Sequence, residues 1–326
     1  MESWRTHLKV DPVPSLLGSD NAAICYFTRR DLLGEEETPV ETLWQMPAVE
    51  KILKRQTGNG AWKYPGGGKQ WLRSSEDYDQ LETYRILGQL VEKHGLTMRH
   101  QAIVYAADYL FSHQTPEGDF RGIYGNQYSP NYSAAIMELL IKAGYESDPR
   151  IEQGFRWQLS LRQNDDGWAI PLRTVRKRFD HKTLQAEPIW PDRTKPSSHL
   201  ITGVVLRAFA AHREYRRANE AHTAGEFLAS RLFAADTYPD RRDPGFWTAF
   251  SFPFWFTDLL SALDSLSLLG FTRDDSRIAK ALGWFIARQE DHGLWKLSLL
   301  RMTREPDRDA WISLAICRVM KRFFRD

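Results

Sequence analysis

Hydrophobic positions along this chain follow two helical rhythms. In segments of the first kind the apolar residues form one stripe: Ile151, Phe155 and Leu159 fall at i, i+4 and i+8, and Ile278, Leu282, Phe285 and Ile286 repeat the design. Asp148-Pro149 places an N-cap residue and a first-turn proline ahead of the former stripe. Similar segments run from about Val40 to Gln56 and from Thr97 to Gln114. Segments of the second kind are apolar nearly all round. They begin near Asp20-Asn21, Asp77-Tyr-Asp79, Pro130-Asn131, Ser197-Ser198, Thr257-Asp258 and Asp307-Arg-Asp309, and Gly34, Gly95, Gly144 and Gly270 close four of them. A helix apolar around its whole circumference must be enclosed. Enclosed helices alternating with striped ones predict an all-α fold, a single (α/α)6 toroid spanning residues 1–326 with about five to six helix-pair repeats.

The striped helices end alike. Gln56-Thr-Gly-Asn-Gly60-Ala-Trp62, Gln114-Thr-Pro-Glu-Gly118-Asp-Phe120, Gln163-Asn-Asp-Asp-Gly167-Trp168 and Gln289-Glu-Asp-His-Gly293-Leu-Trp295 each place a glycine and an aromatic residue within six positions of a glutamine. The first three copies lie roughly 50 to 60 residues apart. The doubled gap before the last holds a degenerate copy ending in Gly245-Phe246-Trp247. This element resembles the glutamine–tryptophan repeat of squalene-hopene and oxidosqualene cyclases. The helix alternation is similar to that of the terpenoid-cyclase and prenyltransferase β-subunit superfamily. The resemblance covers about Asp20 to Phe324 and implies inner helices around an apolar cavity, with each glutamine and aromatic tying helix ends together.

The family's chemical motifs are broken here. The Asp-x-Asp-Asp run that supplies a strong acid to an alkene is matched only in part by Asp77-Tyr-Asp79-Gln80 and Asp307-Arg-Asp309-Ala310. Asp274-Asp275-Ser-Arg-Ile278 lacks the last carboxylate of a magnesium motif, and neither Cys25 nor Cys317 carries the Asp-x-Cys pairing of a zinc site. No metal or other cofactor is expected. The two cysteines are expected to be free buried thiols, which fits a reducing cytoplasm.

Net charge is +2, which gives no case for nucleic acid as a partner, and no apolar run is long enough to span a membrane. The partner expected is an apolar or amphiphilic small molecule, with room for a second subunit as in the prenyltransferases the chain resembles. Thirteen per cent of residues are aromatic, more than the repeats require, so part of that share can line a cavity. In the connections from striped to enclosed helices bases exceed acids by about six. They include Lys69, Arg73, Arg241, Arg301 and Arg304, and the densest cluster is Arg173, Arg176, Lys177 and Arg178. A basic rim over an apolar hollow suits a prenyl diphosphate or an acidic lipid, and a solvated loop surface accounts equally well for the charge.

At the enclosed-helix starts, Asp79, Asp258, Asp309 and His199 form a candidate acid/base set, with N-capping as the structural reading of each aspartate. Tyr128, Tyr132, Trp255 and Trp311 are candidate walls for a polyene or a cation. The leading expectation is an isoprenoid-binding toroid with proton-initiated cyclisation or isomerisation implied by the resemblance. A non-catalytic module binding a lipid, peptide or protein is the alternative, and a carbohydrate-active lyase or hydrolase ranks third.

Overall fold

Helix starts here are set by short polar side chains. The computed structural model describes residues 3–35, 38–66, 74–238, 242–300 and 307–325. Among these the α-helices are α1 (Val13–Leu17), α2 (Ala22–Phe27), α3 (Pro47–Leu53), α4 (Ser75–His94), α5 (Gln101–Phe111), α6 (Pro130–Leu140) and α7 (Pro149–Ser160). They continue as α8 (Pro171–Thr174), α9 (His181–Gln185), α10 (His199–Ala211), α11 (Asn219–Ser230), α12 (Leu259–Leu268), α13 (Ser276–Ala287) and α14 (Arg308–Phe323). Asn21, Ser129, Asp148, Ser198, Asp258 and Asp275 each accept a backbone N–H of their helix's first turn. The start of α4 departs from the expected one. Ser74 caps it, and Asp77 returns a bond to the Ser74 amide, so Asp79 lies inside the helix and not at its cap. Asp307 occupies the N-cap position of α14 without a capping bond; its carboxylate accepts the Asn21 side-chain amide at 2.9 Å.

The fold is all-α: among the described residues no strand forms, only isolated bridges, two of which pair Gln56 with Trp62 and Gln114 with Phe120. Contacts group the chain into two compact units, Met1–Pro39 with Gly225–Asp326, and Val40–Ala224. In the second unit α6 packs on α10 and α4, while α7 and α5 lie outside them with long exposed edges. In the first, α14 packs against α12 and α2 and is buried along most of its length.

The glutamine–glycine–aromatic elements organise both units through one bonding scheme. The side-chain amides of Gln56, Gln114 and Gln289 each donate to the carbonyl of their own element's glycine, at 2.9, 2.8 and 2.8 Å. Each also donates to a distant backbone carbonyl, of Ala102 on α5, Arg150 on α7, and Val10. Gln163 differs, donating to Asp192 and Lys195. Its element is one residue shorter, and a long connection folds back beneath it. The indoles of Trp62, Trp168 and Trp295 donate to carbonyls of the helix just completed, those of Ile52, Gln158 and Phe285. Finally, the backbone N–H of each aromatic is taken by a hydroxyl of the next enclosed helix: Thr83 (2.9 Å), Ser133 (3.0 Å), Thr202 (2.9 Å) and Ser313 (2.9 Å). Every bond replaces water at a helix end that packing has dried, where an unpaired backbone group is costly. The glycine is required by proximity. At Gly118, φ is +110°, and a Cβ would stand 2.6 Å from the Gln153 carbonyl oxygen of α7.

Candidate functional site

The Val40–Ala224 unit presents a row of aromatic rings that runs from the middle of α4 past the start of α6 to the loop residues Tyr124 and Phe179. Tyr84 on α4 meets Tyr132 on α6 edge to face, with centroids 6.4 Å apart, and Tyr132 meets Tyr124 at 5.3 Å. Tyr124 in turn lies 5.4 Å from Phe179, and the Arg173 guanidinium sits 4.6 Å above the Phe179 ring. Tyr84 is buried, whereas Tyr132, Tyr124, Phe179 and Arg173 are half-exposed. Helix register explains the row. Ser129 caps α6 and places Tyr132 one turn in. Tyr124 projects from a tight turn in which Gly122 and Gly125 exchange backbone hydrogen bonds. Both glycines have positive φ, +113° and +58°, which a substituted residue would hold only with strain.

Below the row lies a charged network. Glu138 on α6 accepts Arg207 of α10 at 2.7 Å and Lys142 at 2.8 Å, and Lys142 also pairs with Glu92 on α4. Glu138 and Arg207 are both buried at 3% exposure, where an ion pair persists only if each charge is matched. Burial would raise the Glu138 carboxyl, but Arg207 and Lys142 outweigh it and hold it below the ordinary carboxylate range. Burial pushes the Tyr84 hydroxyl up to about 12, against the pull of Arg207. The network ties three enclosed helices together and fixes the inner end of the tyrosine row.

The other expected residues are distributed as follows. Tyr128 is buried, donating to Glu117 at 2.6 Å and lying beside Trp157, so it braces a repeat element and not the tyrosine row. Arg176, Lys177 and Arg178 are exposed beyond Arg173. Asp79 accepts the Tyr64 backbone N–H at 2.8 Å, and His199 is buried as the first residue of α10. Lys69, Arg73, Arg241, Arg301 and Arg304 lie outside the described residues.

In the other unit, Trp311 of α14 is 1% exposed and stacks on Phe252 with centroids 5.9 Å apart; Phe27 of α2 closes the far side. Phe254, Trp255 and Phe256 are half-exposed before α12. Asp258 is 2% exposed, and its carboxylate accepts the Ser261 N–H at 2.8 Å while the Ser261 hydroxyl accepts the Asp258 N–H. It is a buried capping residue. Asp309 lies in the first turn of α14 beside Arg308. Both cysteines are free; Cys317 is buried, but Cys25 is only half-buried, its thiol near the Leu17 and Ser19 carbonyls. Among the described residues no cluster of His, Cys, Asp and Glu could hold a metal ion.

Sequence reasoning missed the hydroxyls at Thr83, Ser133, Thr202 and Ser313. Their signal was a Ser or Thr 13 to 34 residues after the aromatic to which each bonds, a spacing too variable to register as a motif. It also missed the Arg207–Glu138 pair, whose partners stand 69 positions apart.

No family model and no curated protein matches the sequence. Among solved structures, a protein from Actinoplanes is similar over 88% of this chain and 87% of its own, at 16% identity and a TM-score of 0.39. A variant of the type II terpene cyclase MstE from Scytonema, in complex with geranylgeranyl dihydroxybenzoate, is similar over 95% of this chain and 98% of its own, at 12% identity and a TM-score of 0.40. An α-amylase from Clostridium perfringens is similar over 85% and 79%, at 14% identity and a TM-score of 0.43. At these identities and scores no residue role transfers to this chain.

Proposed function

We propose that this protein binds a long apolar molecule with an anionic head, an isoprenoid in the finer reading, within a single (α/α)6 toroid. The observation that carries the proposal is the graded row from Arg173 through Phe179, Tyr124 and Tyr132 to Tyr84. A charged, half-exposed end leads through half-exposed rings to the buried Tyr84, the order in which an amphiphile presents head and chain. Between positions 171 and 196 seven bases stand against three acids, so the head end is locally cationic. The tyrosine faces suit alkenes and developing cations as well as saturated chains. Proton-initiated cyclisation or isomerisation is the second reading. It assigns the acid role to Asp258 or Asp309, with Trp255 and Trp311 of the same unit as walls. The supporting observation is a buried carboxylate that follows half-exposed Phe254, Trp255 and Phe256 in the chain.

Titration calorimetry with geranylgeranyl diphosphate, palmitate and inorganic diphosphate tests binding, and mass spectrometry of extracts tests turnover. The two amphiphiles should bind and inorganic diphosphate should not. Arg176→Glu with Lys177→Glu and Arg178→Glu should weaken amphiphile binding tenfold or more while leaving the fold intact, because all three side chains are exposed. Equal affinities in wild type and variant would remove the head-group assignment. Unchanged prenyl substrate in wild type and Asp258→Asn alike would remove the catalytic reading and leave binding standing.

A further inference from the structure

Gln80 is the one side chain among the described residues with both amide atoms buried and unpaired. It is 0% exposed, on the second turn of α4 and one helical turn before Tyr84. The other buried and half-buried glutamines bond at least their nitrogen: Gln56, Gln114, Gln163 and Gln289 each place it on two carbonyls, and Gln158 on one, although the Gln158 and Gln163 oxygens have no partner. A buried donor and acceptor left without partners cost about 1–3 kcal/mol each, so a leucine of similar volume would suit a purely structural position better.

The surroundings of Gln80 relate it to the tyrosine row. Gly122 packs directly on it: a Cβ there would stand 2.4 Å from the Gln80 Oε1 atom. The turn of Gly122 and Gly125 carries Tyr124, and Tyr124 contacts Tyr132, which contacts Tyr84. The turn is anchored from outside. The Asn126 backbone N–H and side chain donate to Leu184 and Ala186, and the Gln127 side chain donates to Thr183, Ala186 and Glu187. Those acceptors belong to the segment that follows the basic loop.

We propose that Gln80 recognises a neutral oxygen, a hydroxyl or a carbonyl, on the bound amphiphile where it passes the turn of residues 122–125. The inference rests on the binding function proposed above and narrows its ligand class to hydroxylated or acylated amphiphiles. A primary amide offers one donor direction and one acceptor direction, and a hydroxyl answers both. A site built to bond a hydroxyl discriminates strongly against the analogue that lacks it, since its own polar atoms are then left unpaired. The turn of residues 122–125 covers the amide, so engaging the oxygen opens that turn.

The test compares wild type with Gln80→Leu using palmitate and a positional series of hydroxypalmitates, each carrying one hydroxyl at a different place between the carboxylate and the chain end. Wild type should prefer at least one hydroxypalmitate over palmitate tenfold or more. Gln80→Leu should bind all of them equally, with palmitate affinity unchanged and a melting temperature equal to or above that of wild type. A lowered melting temperature would mean that the amide is satisfied within the folded protein and would overturn the inference. So would palmitate binding without hydroxyl preference in wild type, or a preference that survives in Gln80→Leu; either result leaves amphiphile binding intact. Failure of palmitate, the hydroxypalmitates and geranylgeranyl diphosphate to bind at all would remove both readings.

Discussion

His94, the last residue of α4, shows how burial sets chemistry at single positions. Burial, with Lys93 adjacent, pulls its imidazole down to about 4 from the ordinary 6.5. Its folded-state value is depressed, so between those limits the unfolded chain binds a proton that the fold does not. Stability is therefore full above pH 6.5 and falls as pH drops toward 4. From pH 7 to pH 5 the loss should be about 2 kcal/mol, and His94→Gln should remove it, as read by urea unfolding at both pH values. Glu138 adds its own loss only at lower pH, because its carboxyl is held below the usual range and its contribution persists until that group is protonated. Single residues were unevenly legible in sequence. Asp258 matched an N-cap from its position before an apolar run, and it is one. Asp79 did not, because Ser74, five residues earlier, takes the cap. Nothing local marked Glu138 or Arg207 as a pair, since two polar residues inside apolar helices declare a partnership only when the helices meet.

At the scale of elements, the stopping device of the outer helices was readable and its full wiring was not. Glutamine, glycine and aromatic recur at near-fixed spacing, because an amide must span one turn and a backbone must approach closely. The hydroxyl that completes each element lies on another helix at variable distance. Its energetic weight can be measured. Ser133→Ala leaves the buried Phe120 N–H without its acceptor and should cost about 1–3 kcal/mol in chemical denaturation. Ser230→Ala is the control. Its hydroxyl bonds only to the carbonyl three residues back on an exposed surface, so the change should stay within about 0.5 kcal/mol. Equal effects at the two sites would mean that the inter-helix bond contributes nothing special.

At the scale of the molecule, the last repeat element joins the first residues of the chain. Gln289 accepts the backbone N–H groups of Lys9 and Val10 and donates to the Val10 carbonyl, across about 280 positions. Gln289→Leu breaks all three bonds. Hydrogen exchange should then quicken at residues 8–13 and 289–295 while α4, α6 and α10 keep their protection. Unchanged exchange at Lys9 and Val10 would show that packing alone holds the terminal segment.

The sequence by itself determined the helical class, the two kinds of helix, most of their caps and the elements that end them. All of these follow from interactions within one helix turn or from periodicity along one helix. Tertiary structure alone decided which hydroxyl serves each aromatic N–H, that Glu138 meets Arg207, and that Tyr128 packs on Glu117 and Trp157. It also decided that the Gln80 amide is enclosed with nothing to bond. Each of these depends on where a different helix arrives, and a backbone's own periodicity contains no record of its neighbours.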